Sequence, residues 1–219
     1  MSALAMLGYF NRFRHTMHMS EVTSVVADDR GDTPSASVWQ VAASRYLYTS
    51  RWYNLKQDDV ILPSGQAITY TWVEHPGYAL VVPLLDDGRV VMERIYRHTL
   101  KRTLLECPSG GCDGDTPEAA ARRELEEETG YLAEGMTHLG RYFASSGIAD
   151  EQFDIYLATG LSLTGKVCHE ATEQIAIELI PLDALRASVL CGEIEDGPTS
   201  LAILLAAARM ANSVRASCK

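Results

Sequence analysis

From Trp39 onward, apolar and polar positions alternate in short runs bounded by turn residues, the pattern of half-buried strands. Arg45 to Tyr48, Asp58 to Leu62 and Ala67 to Val73 are three such runs, the last two separated by a Pro63-Ser64-Gly65 turn. They predict a small antiparallel meander. Two more apolar runs, Tyr78 to Leu85 and Arg89 to Tyr96, flank an Asp86-Asp87-Gly88 hairpin turn. The period then changes. Thr116 can cap a helix, Pro117 suits its first position, Glu118-Ala119-Ala120-Ala121 favour its first turns, and Gly130 can stop it.

Beyond that helix the pattern predicts strands around Met136 to Ala144, Gln152 to Ala158 and Glu173 to Ile180. A short helix over Leu182 to Val189 and a final one over Thr199 to Ala211, after Gly197-Pro198, complete the series. Strands and helices interleave without regular βα alternation. That argues for an α/β (α+β mixed) architecture, with a mixed sheet sandwiched by helices. Residues 1–36 show no sustained period and end in a turn-rich stretch, Asp28 to Pro34. They read as an extension, followed by a β subdomain over 37–73 that could serve in dimerisation and a main domain over 74–215. His15 and His18 in the extension are spaced as metal ligands could be, but surface histidines in an arm are the commoner case.

The predicted helix carries the chemistry. Residues three and four apart share a face, so Glu124, Glu127 and Glu128 are expected to reach toward a common centre. Like charges packed together persist when a hard cation sits between them, and Mg2+ or Mn2+ takes oxygen ligands, Mg2+ at about 2.0–2.1 Å. The bland alternative is a solvated helix laced by Glu118 to Arg122 and Arg123 to Glu127 pairs.

The run Arg123-Glu124-Leu125-Glu126-Glu127-Glu128-Thr129-Gly130-Tyr131 resembles the second half of the Nudix hydrolase signature, R-E-U-x-E-E-x-G-U with U a bulky apolar residue. In the first half, Asp115 stands where the family has Glu, and four residues rather than five separate it from Gly110. The resemblance spans roughly residues 39–212 and implies a Nudix-type α/β/α sandwich. It is nearest the branch that cleaves ADP-ribose and other nucleoside diphosphate sugars. Arg97 followed by Thr103-Leu104-Leu105-Glu106-Cys107-Pro108-Ser109-Gly110 looks like that branch's lead into the signature. Tyr142 to Glu151 looks like the loop that carries its catalytic Glu, and Glu170, Glu173 and Pro181-Leu182 follow its order of elements. Ser146 stands where the ADP-ribose members usually carry proline.

The resemblance implies roles. Glu124, Glu127, Glu128 and the backbone carbonyl of Ser109 would hold Mg2+ (or Mn2+), and Arg123 would orient the glutamates. Glu151 would be the general base, with Glu127 as the fallback. Arg97 would hold a phosphate, and Trp52 and Tyr70 would stack on a base across a homodimer, although both are also typical cross-strand packing residues, and for Tyr70 packing is the favoured reading. The implied reaction is hydrolysis of a pyrophosphate bond to a nucleoside monophosphate and a sugar phosphate. GDP-mannose, a dinucleoside polyphosphate or a damaged nucleoside triphosphate are alternative substrates, and a non-catalytic nucleotide-sensing module is the alternative of a different class.

Composition constrains the partners. A net charge of −10 argues against a nucleic-acid groove. No run approaches the roughly 18 apolar residues that cross a membrane, and Met1 to Phe10 has no basic stretch before it as a signal peptide would. The five cysteines are odd in number and lack C-x-x-C spacing, which fits reduced thiols in the cytoplasm.

Overall fold

A computed structural model describes residues 38–169 and 174–217. The extension over 1–36 with His15 and His18, together with Glu170, Glu173 and Cys218, lies outside the described residues. The described chain divides into two compact units, residues 38–47 with 56–71, and residues 48–55 with everything from Trp72.

Three strands, β1 (Gln40–Thr49), β2 (Asn54–Ile61) and β3 (Ala67–Glu74), form the expected meander in the order β1-β2-β3. Polar cross-strand contacts tie it together: Arg45 pairs with Asp59 at 2.8 Å, Thr69 donates to Asp59 at 3.2 Å, and Ser44 donates to Asp58. Trp39 meets Tyr70 edge to face, with ring centroids 5.8 Å apart.

The larger unit is built on a four-stranded mixed sheet in the order β7-β4-β9-β8. It contains β4 (Tyr78–Pro83), β7 (Ser109–Gly111), β8 (Tyr131–Phe143) and β9 (Gln152–Leu163). β4 runs parallel to β9 and antiparallel to β7, and β8 runs antiparallel to β9. A second, antiparallel sheet has the order β10-β5-β6, from β5 (Arg89–Arg97), β6 (Arg102–Glu106) and β10 (Ile175–Pro181).

The strand period of two explains the layering. Along β4, Ala79 and Val81 pack with Ala120, Ala121 and Leu125 of α1 (Pro117–Thr129), whereas Leu80 and Val82 face Ala202, Ile203 and Ala206 of α3 (Gly197–Ser217) and Leu185 of α2 (Leu182–Leu190). β9 repeats the division, Tyr156 and Ala158 toward α1 and Phe153, Ile155 and Leu157 toward α3. A central strand buried on both faces is apolar at every position, so β4 reads Ala-Leu-Val-Val without alternation. This is the α/β/α sandwich the sequence predicts.

Three differences from the sequence reading have local causes. β7 consists of Ser109-Gly110-Gly111, with no strand propensity of its own, and forms because β4 offers it an edge. β6 is five residues long and lacks a clean alternation. β8 starts at Tyr131 instead of Met136, directly after the helix stop. Its first half holds Ala133-Glu134-Gly135, residue types depleted in strands, and a bulge follows between His138 and Gly140.

Candidate active site

The helix α1 begins and ends as its sequence dictates. Thr116 Oγ1 accepts the Ala119 N–H at 3.3 Å, Pro117 occupies the first turn, and Gly130 adopts the left-handed conformation (φ 73°) with its N–H on Glu126 O at 2.8 Å. The Glu118–Arg122 and Arg123–Glu127 pairs of the bland reading are present, at 3.1 and 2.9 Å. They do not account for Glu124 and Glu128, which are only 9% and 4% exposed. Charged glutamates are almost never buried on a purely solvated helix.

Both buried glutamates are turned onto β7. Glu128 Oε2 accepts the backbone N–H of Ser109 at 2.9 Å. The Glu124 carboxylate lies directly over Gly110: a Cβ there would sit 2.1 Å from Glu124 Cδ and Oε1. Gly110 is therefore a close-approach glycine, and the space of its missing side chain is filled by a carboxylate. Arg123 completes the junction, with Nη1 at 2.7 Å from Glu124 and 2.9 Å from Glu127, and Nη2 donating to Gly111 O at 2.8 Å. Partial burial opposes its charge, but Glu124 and Glu127 outweigh that and raise its pKa. The turn between β7 and α1 is tight as expected, with Asp113 and Gly114 both at positive φ and the Asp115 N–H on Cys112 O at 2.7 Å. Asp115 comes no nearer than 4.0 Å to Arg123.

The three glutamates do not converge on one point, as their spacing alone suggests. Glu127 is 42% exposed and drawn to Arg123, while Glu124 and Glu128 point at the glycine strand. Among the described residues no trio of His, Cys, Asp or Glu side chains forms a ready cation cage. The donor set nevertheless suits a hard cation: two buried carboxylates against the Ser109-Gly110 backbone, and a third, more exposed one beside them.

Ser109, Gly110 and Gly111 also rim a cleft of about 420 Å³ in the larger unit. Arg97 and Glu106 line it, joined by a two-pronged ion pair at 2.9 and 2.5 Å. Glu106 holds the guanidinium firmly in its charged form, burial working against this and Asp196 and Glu128 with it. Arg97 thus stands in the cleft, already committed to a carboxylate. Trp52 lines the cleft with Arg51, whose guanidinium lies 3.9 Å over the indole. Tyr70 is not among the lining residues and packs on Trp39 instead.

Glu151 lines the cleft as well, on the loop between β8 and β9, and lies 3.6 Å from His75 Nε2. His75, Asp113 and Asp196 are lining residues that the sequence reading did not single out. Asp196 is legible as a cap, since its Oδ2 takes the Thr199 N–H at 2.9 Å at the start of α3. His75 precedes a strand and carries no motif. The cleft's electrostatics register on Tyr78: burial pushes its hydroxyl well above the usual range, and the charges of Glu151, Asp196 and Glu106 push further. With Glu106, Asp113, Glu151 and Asp196 facing Arg51 and Arg97, the cleft is net acidic. An anionic diphosphate would enter it only with added positive charge.

A glutamate-bearing helix clamped onto a glycine strand, in a mixed sheet between helices, is the arrangement of the Nudix fold. The NUDIX domain model matches residues 74–199, and the model of the nucleoside diphosphate sugar hydrolase N-terminal domain matches residues 39–73. The chain belongs to the NUDIX family and is a hydrolase of that family, as the resemblance implies. It is 36% identical to the ADP-ribose pyrophosphatase of Bacillus subtilis (strain 168) over 165 residues, 74% of this chain and 88% of the relative. It is 35% identical to the ADP-ribose pyrophosphatase of Mycobacterium tuberculosis (strain ATCC 25618 / H37Rv) over 159 residues, 71% of this chain and 77% of the relative. A solved structure described as an ADP compounds hydrolase superposes with a TM-score of 0.72 at 19% identity, over 83% of this chain and 98% of that one, which shows the shared fold.

Proposed function

We propose that the protein hydrolyses the pyrophosphate bond of ADP-ribose or a closely related nucleoside diphosphate sugar, in a Mg2+-dependent reaction, to a nucleoside monophosphate and a sugar phosphate. The observation that carries this reading is the burial of Glu124 and Glu128 against Ser109-Gly110 at the rim of a cleft that Glu151 also lines. The sugar-nucleotide N-terminal domain and the two ADP-ribose pyrophosphatase relatives favour the substrate class.

In this reading Glu124 and Glu128, with Glu127 and the Ser109 carbonyl, hold the cation. When bound, it neutralises the anionic oxygens of the diphosphate and stabilises the charge that develops on them. Arg123 keeps Glu124 and Glu127 in register with the glycine strand. Glu151 takes the proton from the attacking water, and Arg97 holds a phosphate with Glu106 fixing its fork. Arg51 and Trp52 offer a flat, charged face to a base or ribose at the cleft mouth. Tyr70, with Trp52, would stack on a base across a homodimer. Exposed apolar side chains on β1 and just ahead of it, Val38, Trp39, Val41, Tyr46 and Tyr48, are what supports a homodimer.

The domain reading stands alongside this: an extension over 1–36, a dimerising β subdomain over 37–73, a catalytic domain over 74–215. None of the described helices is long and apolar enough to cross a membrane. A cytoplasmic enzyme without nucleic-acid partners is the location and partnership we infer. Ser146, in place of the usual proline, favours a second reading in which GDP-mannose or another nucleotide sugar is preferred. Phosphate-coupled turnover against ADP-ribose, GDP-mannose, diadenosine polyphosphates and nucleoside triphosphates tests both. Fastest cleavage of ADP-ribose supports the first reading, fastest cleavage of GDP-mannose supports the second, and binding without turnover of any nucleotide supports a sensor.

A further inference from the structure

We propose that His75 is a positioning residue for Glu151, presenting a single N–H donor to the carboxylate from a ring whose other nitrogen is already occupied. The inference rests on the reading of Glu151 as general base. His75 lies between β3 and β4, and its Nδ1 accepts the Gly77 N–H at 3.0 Å. A neutral imidazole has one protonated and one accepting nitrogen. Accepting at Nδ1 therefore places the proton on Nε2, which faces Glu151 Oε1 at 3.6 Å.

The ring is held from several sides. Tyr78 meets it edge to face at 6.5 Å and is itself stacked on Phe153 at 5.3 Å. The backbone N–H of His75 donates to Asp150 Oδ1 at 2.9 Å, so the residue beside Glu151 grips the residue that faces it. Asp150 N–H donates to Val73 O at 3.2 Å, and Val73 N–H to Ile148 O at 2.8 Å. Gly77 closes the arrangement. Its φ is +84°, and a Cβ there would lie 3.0 Å from the carbonyl oxygen of Gln152, the residue after Glu151. The His75-Pro76-Gly77 turn and the Glu151 loop thus approach as closely as the backbone permits.

A histidine needed only for packing would have no reason to aim its one remaining donor at a carboxylate. The side chains of His75 and Glu151 are 23% and 29% exposed, sheltered enough for one donor to select among the glutamate's rotamers. A carboxylate engaged at Oε1 keeps Oε2 for the proton of the attacking water. The separation is long for a hydrogen bond, as catalytic contacts often are before substrate closes the site.

Three variants and one double variant test this in the full chain, with ADP-ribose and Mg2+. His75→Asn can still accept the Gly77 N–H but is too short to reach Glu151, whereas His75→Gln restores an amide donor near the Nε2 position. Expected are a fall in kcat of roughly 10- to 100-fold for His75→Asn with KM little changed, and recovery of most of that loss in His75→Gln. His75→Asn combined with Glu151→Gln should be no slower than Glu151→Gln alone, because the two residues act as one unit. If His75→Asn does not fold, His75→Phe, which keeps the edge contact with Tyr78 and has no donor, takes its place with the same expectations.

Full kcat in a folded His75→Asn protein, alongside an inactive Glu151→Gln, overturns the positioning role and leaves the base assignment standing. Multiplying losses in the double variant, or no recovery in His75→Gln, overturns it too. Full activity of Glu151→Gln removes the base assignment itself, and this proposal with it.

Discussion

The replacement of Gly110 by alanine isolates the geometric claim at the centre of the site. Gly110 does not have a positive φ, so a methyl group there costs no backbone strain. Its Cβ would lie 2.1 Å from Glu124 Cδ and Oε1 and 2.7 Å from Oε2, and ordinary contact begins at 3.4 Å. The carboxylate must therefore retreat by about 1.3 Å, which its flexible side chain can do. Moving it loosens the 2.7 Å pair with Arg123, a half-buried contact worth about 1 kcal/mol, or a fall in Tm of roughly 2–4 °C for a chain of this size. The effect on chemistry is larger, since a displacement of about 1 Å in a positioned group can cost about 100-fold in rate. We expect Gly110→Ala to remain folded, lose about 100-fold in kcat, and bind Mg2+ more weakly. Calorimetry for Tm and steady-state kinetics across a Mg2+ titration measure both. A Gly110→Ala protein with kcat and Mg2+ dependence close to the parent's would refute the placement of Glu124 as a cation ligand.

Other predictions follow from the same contacts. Glu128→Gln keeps an oxygen for the Ser109 N–H and so keeps the fold, but it removes a charged ligand; turnover should drop by orders of magnitude, and normal activity would contradict the metal mechanism. Glu151→Gln should lose turnover with Mg2+ affinity nearly unchanged, and a small effect would move the base to Glu127. Arg97→Lys cannot reproduce the two-pronged grip on Glu106, so KM should rise roughly tenfold with a smaller change in kcat; an unchanged KM would reduce Arg97 to a structural role. Burial, reinforced by the charges of Asp196, Glu93 and Glu106, holds the Cys107 thiol well above its usual range. Cys107 is buried, its Sγ 3.9 Å from Met92 Sδ and its N–H on Thr199 Oγ1 at 3.1 Å, so in the native protein near pH 8 a thiol reagent should label the exposed Cys168 and Cys191 and spare Cys107, and equal labelling rates would contradict that packing.

What was legible in the sequence was what local chemistry dictates. The caps of α1, the glutamate spacing and the meander turns depend on neighbouring residues, and the structure reproduces them. β7 was invisible because two glycines and a serine become a strand only against the edge of β4. The glutamates were recognisable as a group, but the seating of Glu124 over Gly110 and of Glu128 on the Ser109 N–H depends on how α1 docks on that strand, which spacing along one helix does not specify. Arg97 was named as a phosphate holder, whereas its ion pair with Glu106 is a side-chain contact diagonal to the β5–β6 register, which sets Arg97 opposite Arg102. His75 was missed for the same reason: its relation to Glu151 joins residues 76 positions apart, through the parallel pairing of β4 with β9.

The central claim is that this cleft breaks a pyrophosphate bond with the help of a divalent cation. Phosphorus NMR of ADP-ribose incubated with the protein and Mg2+ in heavy-oxygen water tests it most directly. The account predicts AMP and ribose 5-phosphate, heavy oxygen on one of the two new phosphates, and no reaction when a chelator is present until Mg2+ is restored. Release of ADP and free ribose, or cleavage that a chelator does not slow, would contradict it.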